Sequence, residues 1–251
     1  MADDFAAHGT LPAPFDPARA KRALAELGFE PPEGARAVFA AAFGNSPYLA
    51  RSAARERDFL RELAAFGPEK LLARIEAEAR AIASAETLAI AMSGLRAAKR
   101  QAALAIALAD IGGLWPLEKV TRALSDFADA AVSGALRFLL GEAAARAELA
   151  ERDPGVLEVS TGLTVLAMGK YGAYELNYSS DIDLVVFYDA ERFPFRTKGD
   201  ARTAAVELVK GLVKLLSEIT VDGYVFRVDL RLRPDAGATQ VAISTEAAEL
   251  Y

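Results

Sequence analysis

The chain has 251 residues, 53% of them hydrophobic, which is enough for one large domain or two ordinary ones with packed cores. Its 29 basic and 35 acidic residues leave a net charge of −6, so there is no electrostatic footprint for a nucleic-acid backbone and a polymerase-like role is disfavoured. It contains no cysteine, which excludes disulfides and thiolate metal sites and fits a reducing compartment.

The only histidine, His8, lies in a Pro/Ala/Asp-rich leader and reads as a solvated tail residue, which leaves no histidine for catalysis. Met1 to Pro17 lacks the basic and apolar regions of a signal peptide, and no apolar run reaches the ~18 residues of a membrane span. These features predict a cytoplasmic protein. From there to about residue 153, alanine, leucine, arginine and glutamate recur at helical spacing. Asp16-Pro17 and Ser46-Pro47 place a capping side chain before an N1 proline, and Gly67-Pro68 opens a further long helix. Gly94 and Gly112-Gly113 are expected to interrupt the helical run, with another helix from Trp115-Pro116 to about Leu140. Arg96, Lys99 and Arg100 read as a solvated helix face.

Composition changes at Asp153-Pro154-Gly155, a turn signal, after which β-branched and aromatic residues gather in short runs. The predicted division is a helical domain over 1–153 and a sheet domain over 154–251. In the latter, Leu163 to Ala167 reads as a strand, Gly169 to Ser180 as a turn with one helical turn, and Asp181 to Tyr188 as a second strand. Asp200 caps a helix whose apolar positions, Ala205, Leu208, Val209, Leu212, Leu215, Leu216 and Ile219, fall at 3.6-residue spacing, and Asp222-Gly223 ends it. Tyr224 to Leu232 alternates as a half-buried antiparallel strand would, Pro234-Asp235-Ala236-Gly237 turns, and Thr239 to Ser244 is a fourth strand. Sheet plus one long crossing helix is an α+β layer.

The chemistry gathers on three acids. Successive strand residues point to opposite faces, so Asp181 and Asp183 share one side while Ile182 and Leu184 enter the core. Two bare carboxylates about 6.7 Å apart repel by roughly 2.5 kcal/mol at an effective dielectric of 20, a sign that a divalent cation reverses. Asp229 lies among Arg227, Arg231 and Arg233 on the charged side of its strand. Hard cations take oxygen ligands, and carboxylates shared between metals suit in-line phosphoryl or nucleotidyl transfer. Gly169 before this strand lets backbone approach a phosphate. Ser179 and Ser180 can bond a phosphate oxygen or cap the turn, and each arginine can grip a phosphate or pair with a neighbouring acid. Glu175 reads as structural.

The layout Gly169-Lys170, then Asp181-Ile182-Asp183, then a later strand with a third acid is similar to the nucleotidyltransferase superfamily typified by DNA polymerase β, although many members carry Gly-Ser where this chain has Gly169-Lys170. The longer string from Met168 to Leu184, with Arg227-Val228-Asp229-Leu230-Arg231-Leu232-Arg233-Pro234, closely resembles the bifunctional glutamine synthetase adenylyltransferase/adenylyl-removing family. Gly44 to Arg51 and Leu95 to Leu140, with Ala109-Asp110-Ile111-Gly112-Gly113-Leu114-Trp115, look like that family's N-terminal helical region. The resemblance implies a helical bundle followed by a polymerase-β-like sheet domain. It also implies catalytic, metal-binding Asp181, Asp183 and Asp229 holding Mg²⁺ or Mn²⁺, and nucleotide contacts from Gly169, Ser179, Ser180 and Arg231. The expected partners are glutamine synthetase, PII signalling protein, ADP or ATP, and phosphate, with no nucleic acid and no membrane.

Asn177-Tyr178-Ser179-Ser180-Asp181 matches the family's N-terminal half, which removes AMP from a tyrosine of glutamine synthetase by phosphorolysis. The chain is shorter than the family and reads as a fragment of that half, with a truncated sheet domain. Attachment of AMP from ATP, and a non-catalytic regulatory module that binds a partner, stay open as alternatives.

Overall fold

The computed structural model describes residues 8–147, 153–195, 200–233, 235, 237 and 239–250. Among them the helices are α1 (Pro17–Ala25), α2 (Glu33–Asn45), α3 (Pro47–Arg55), α4 (Arg57–Phe66), α5 (Pro68–Ala81), α6 (Leu88–Ile111), α7 (Leu117–Arg146), α8 (Pro154–Ser160), α9 (Gly169–Gly172), α10 (Ala201–Ser217) and α11 (Thr245–Glu249). The strands are β1 (Leu163–Met168), β2 (Ile182–Tyr188), β3 (Val228–Asp229) and β4 (Ile243–Ser244), giving the α+β class read from the sequence. No helix among the described residues is long and apolar enough to cross a membrane.

Helix starts follow local chemistry. Asp16 accepts from the Arg19 amide ahead of Pro17, and Ser46 accepts from the Leu49 amide ahead of Pro47, each satisfying an N–H that the helix itself leaves open. α6 stops at Gly112-Gly113, where Gly113 takes φ +66° and Leu114 N–H returns to the Ala109 carbonyl. Gly94, in contrast, does not interrupt the helix. It lies inside α6, and a Cβ there would stand 2.5 Å from Ile82 Cδ1, so the glycine serves close packing. α7 runs six residues past the expected end at Leu140, to Arg146.

The chain forms two compact units, Met1–Ala77 with Ala97–Phe127, and Glu78–Arg96 with Ala128–Tyr251. The change of composition near residue 154 falls inside the second unit. The reason is apolar packing: Leu136, Leu140 and Ala144 of α7 share one buried cluster with Leu163 of β1, Val186 of β2, Phe193 and Val209 of α10. Asp153-Pro154-Gly155 is the cap and first turn of α8, with Asp153 accepting from the Gly155 and Val156 amides. The first unit has its own core, in which Val38, Phe39, Phe43, Leu60, Leu63, Leu104 and Ile106 are fully buried.

Arg96, Lys99 and Arg100 do not form a solvated face. Arg96, in the second unit, is 1% exposed and donates to the backbone carbonyls of Met92 (2.9 Å), Leu215 (3.1 Å), Gly223 (2.8 Å) and Glu218. Four carbonyl acceptors spread its charge where no carboxylate is bonded to it, which is how a guanidinium tolerates burial. In the first unit Lys99 lies over the Phe127 ring at 5.6 Å, with burial pushing its ammonium pKa down to about 8, and Arg100 Nε donates to Glu56 at 2.8 Å.

In the sheet, β1 pairs antiparallel with β2 along Leu163–Met168. β2 uses its other edge twice: Ile182 and Asp183 pair with Val228 and Asp229 of β3, and Phe187 and Tyr188 with Ile243 and Ser244 of β4. Both pairings are parallel, and both strands are two residues long, where the sequence predicts a long antiparallel strand over 224–232 and a fourth over 239–244. The crossover explains the direction. α10 carries the chain back to the start of β2, so β3 must run beside it in the same sense. Alternation also fails at the ends: Val225 and Phe226 are both buried, while Tyr224 and Leu232 are exposed. α10 itself ends at Ser217, ahead of a tight turn in which Thr220 and Gly223 exchange backbone hydrogen bonds. The turn expected at 234–237 lies partly outside the described residues.

Candidate active site

The three acids come together at the start of β2, within the second unit. Asp183 and Asp229 are register partners on neighbouring parallel strands, so their side chains leave the same face, and Asp181 stands two residues before Asp183. Their fields are felt: burial first, then the charges of Asp181 and Asp229, hold the Asp183 carboxyl above the usual carboxylate range, with Arg231 acting in the opposite sense. Asp229 goes the other way. Hydrogen bonds from the Arg231 side chain and backbone amide hold it below the usual range.

Arg231 acts as the local counter-cation. Its Nε lies 3.0 Å and 2.9 Å from the two Asp229 oxygens, its backbone N–H donates to Oδ1 at 2.8 Å, and its own pKa is raised by Asp229 with smaller contributions from Asp181 and Asp183. The Arg231 side chain is 82% exposed and that of Asp229 12%. Among the described residues no group of three or more Asp, Glu, His or Cys side chains is arranged to hold a metal ion. The donor chemistry and strand placement suit a hard divalent cation, but the side-chain conformation does not, because Asp229 is already committed to Arg231.

Gly169 is where the turn meets the acids. It opens α9 with φ +55°, and a Cβ on it would stand 2.7 Å from Asp183 Oδ2. Only glycine allows both the left-handed backbone and this approach. Gly172 is pressed equally hard: a Cβ there would meet the Ala167 carbonyl oxygen at 2.4 Å. Lys170 and Glu175 are exposed, linked by Glu175 N–H to the Lys170 carbonyl at 2.8 Å.

The serines are turn residues. Ser180 Oγ donates to Asn177 Oδ1 at 2.8 Å, and the Ser179 amide reaches the same oxygen at 3.3 Å. Ser179 also offers its carbonyl to Arg227 Nη2, at 2.5 Å, while the Arg227 carbonyl accepts from Ile182 N–H at 2.9 Å. Arg227 therefore ties the serine turn to the approach of β3. Arg233 turns to backbone carbonyls, those of Leu230 and Thr239. Of the three arginines, Arg231 is the one bonded to the acids.

Sequence reading missed Asn177, Tyr171 and Asp129. Tyr171, 3% exposed, donates its hydroxyl to Asp129 Oδ1 at 2.7 Å, and Tyr174 reaches Oδ2 at 3.4 Å. Burial, then the Asp129 hydrogen bond and charge, push the Tyr171 phenol well above its ordinary pKa. The available signal was an acid in the otherwise apolar stretch Phe127-Ala128-Asp129-Ala130-Ala131.

Residues 37–251 match the family described as glutamate-ammonia ligase adenylyltransferase. Among curated proteins, the chain is 49% identical over 217 residues to a protein of Xanthobacter autotrophicus, with 86% of this chain and 22% of the relative covered. It is 48% identical over 218 residues to one from a Bradyrhizobium species, with the same coverage, and 42% identical over 267 residues to one from Rhodopseudomonas palustris, covering 100% of this chain and 27% of the relative. All three relatives carry the name bifunctional glutamine synthetase adenylyltransferase/adenylyl-removing enzyme. The chain thus spans roughly a quarter of the length of the curated relatives it matches. By the family match over most of its length, the chain belongs to the glutamate-ammonia ligase adenylyltransferase family.

Proposed function

We propose that this chain carries the adenylyl-removing site of such an enzyme, acting in the cytoplasm on adenylylated glutamine synthetase with inorganic phosphate as co-substrate. One observation carries the reading: Asp183 and Asp229 face each other across parallel strands, Asp181 stands beside them, and the Gly169 turn abuts Asp183. The match over residues 37–251 supports the chemistry, and on this reading the sheet carrying the acids would be of the polymerase-β type.

In the reaction, an oxygen of hydrogen phosphate attacks the adenylyl phosphorus. The bond from phosphorus to the tyrosyl oxygen breaks, ADP forms, and the proton of the hydrogen phosphate ends on the tyrosine hydroxyl. Asp181, Asp183 and Asp229 would hold Mg²⁺ or Mn²⁺ once Arg231 turns away, and the bound ion would neutralise charge on the phosphates. Arg231, released from Asp229, has its forked donors available for a phosphate oxygen of ADP. Amides of the Gly169 turn approach the phosphates without a side chain intervening, and Ser179 and Ser180 hold the far side of the turn in shape. PII signalling protein is the regulatory partner this reading entails.

The test is incubation with adenylylated glutamine synthetase, phosphate and Mg²⁺, following ADP. ADP release that needs phosphate supports removal; pyrophosphate release from ATP with unmodified glutamine synthetase instead assigns the attaching activity. Neither product, with Mn²⁺ bound, assigns a regulatory module. Asp183→Asn is expected to abolish turnover while leaving the melting temperature nearly unchanged, and wild-type turnover by that variant would rule out the assignment.

A further inference from the structure

We infer that Asp129 is a positioning residue for this site, a carboxylate on α7 that clamps the Gly169 turn through two tyrosines; the inference rests on the nucleotidyl-transfer reading above. Asp129 lies 40 residues before the turn and contacts none of the three acids in the described hydrogen bonds. Its oxygens accept from Tyr171 at 2.7 Å and from Tyr174 at 3.4 Å, so both phenols of the turn end on one helix side chain.

The lever is short. Tyr171 is the third residue of α9, whose first residue is Gly169 and whose last is Gly172. Gly169 would touch Asp183 Oδ2 with any added carbon, and Gly172 would touch the Ala167 carbonyl, so the turn is seated on β1 and β2 with no slack. Four residues of helix cannot hold such a position by themselves. Burying a phenol demands a hydrogen-bond partner, and an anionic acceptor makes the bond stronger than a neutral one would. Tyr174 carries φ +58°, an uncommon backbone for a bulky residue, and its hydroxyl ends on the same carboxylate. The clamp therefore holds the segment that brings backbone to Asp183 at the third residue of α9 and again two residues past its last. Its loss lets the turn lift away from the acids.

The experiment titrates MgADP by calorimetry against the wild-type chain and the variants Asp129→Ala, Asp129→Asn and Tyr171→Phe, with melting temperatures and amide hydrogen exchange over residues 169–175. Asp129→Ala and Tyr171→Phe are expected to weaken MgADP roughly tenfold or more, because loss of one hydrogen bond from the Gly169 turn to a charged phosphate costs on that scale. Asparagine keeps an acceptor for Tyr171, so Asp129→Asn should restore most of the affinity. A purely structural role predicts lower melting temperatures with unchanged affinity in the folded protein, and that result overturns the inference. Should Asp129→Ala fail to fold, Tyr171→Phe, which keeps the ring in its packing, decides on its own. If the wild-type chain binds no MgADP, the functional reading fails. The clamp is then judged by exchange: unchanged protection of residues 169–175 in Tyr171→Phe overturns it, and faster exchange supports it.

Discussion

The two edges of β2 are built on different terms. Along one edge β1 is paired from Leu163 to Met168, an unbroken antiparallel ladder. Along the other, β3 holds Ile182 and Asp183 and β4 holds Phe187 and Tyr188, two residues each. The first edge carries no acid of the site; the second delivers Asp229. A ladder of that length is held by its own backbone bonds and by side chains in the core, whereas a two-residue strand stays in place only if other groups hold it. Those groups are identifiable: Arg96 on the carbonyls that follow α10, Arg227 on the Ser179 carbonyl, and Arg231 on Asp229 itself. The scaffold edge is apolar and the functional edge is arginine-held.

The largest effect is expected at the scaffold. Leu184 is 1% exposed and pairs with Ala167, one step in from the Met168–Asp183 end of the ladder. Leu184→Ala should destabilise the protein by about 2–5 kcal/mol, the range for deleting a buried leucine side chain with partial relaxation of its cavity. Urea unfolding measures it. A loss well under 1 kcal/mol would mean that the ladder is not the rigid half of the sheet.

Arg96→Met should act more weakly and locally. The substitution keeps an apolar stem but strips donors from four carbonyls, and leaving buried acceptors unsatisfied costs about 1–3 kcal/mol. The informative readout is where the structure opens. Amides from Val225 to Asp229 should exchange faster at low denaturant while those of β1 and β2 keep their protection, because Val225 and Phe226 hang on the Leu216 carbonyl at the end of α10 that Arg96 secures. Uniform loss of protection across the sheet would erase the distinction between the edges.

The same contrast explains what could be read in advance. β1, β2 and the Asp200-capped α10 were legible because their signals are local: β-branched runs, a capping acid, apolar positions at helical spacing. So was the nearness of Asp181 to Asp183, whose carboxyl feels its charge. The direction and brevity of β3 were not, since alternation reports only which residues are buried and says nothing about the partner strand; the crossover decides that. Arg96 was misread because a sequence shows its charge but not the carbonyls that accept it, more than a hundred residues away. Asp129 was visible as an acid among alanines, but its partners lie 42 and 45 residues downstream.

The smallest effect on stability and the sharpest on ligand binding should come from Arg231→Gln. The Arg231 side chain is mostly in water, so losing its ion pair with Asp229 should barely move the melting temperature. The consequence for ions is different. Arg231 adds a positive charge within range of all three carboxylates and occupies both Asp229 oxygens, so on the proposed metal role it competes with any cation approaching them. Glutamine removes the charge and leaves a shorter, neutral polar side chain. Mn²⁺ affinity, read by electron paramagnetic resonance without nucleotide, should then rise by on the order of tenfold, the scale of one unit charge at close range in a wet site. ADP affinity should fall in the same variant, because the guanidinium fork is the group proposed to receive a phosphate. Opposite movement of the two affinities is the signature of a side chain that trades a carboxylate for a nucleotide. If Mn²⁺ binding weakens together with ADP, Arg231 organises Asp229 for the cation instead of competing with it, and the functional edge of β2 is preformed after all.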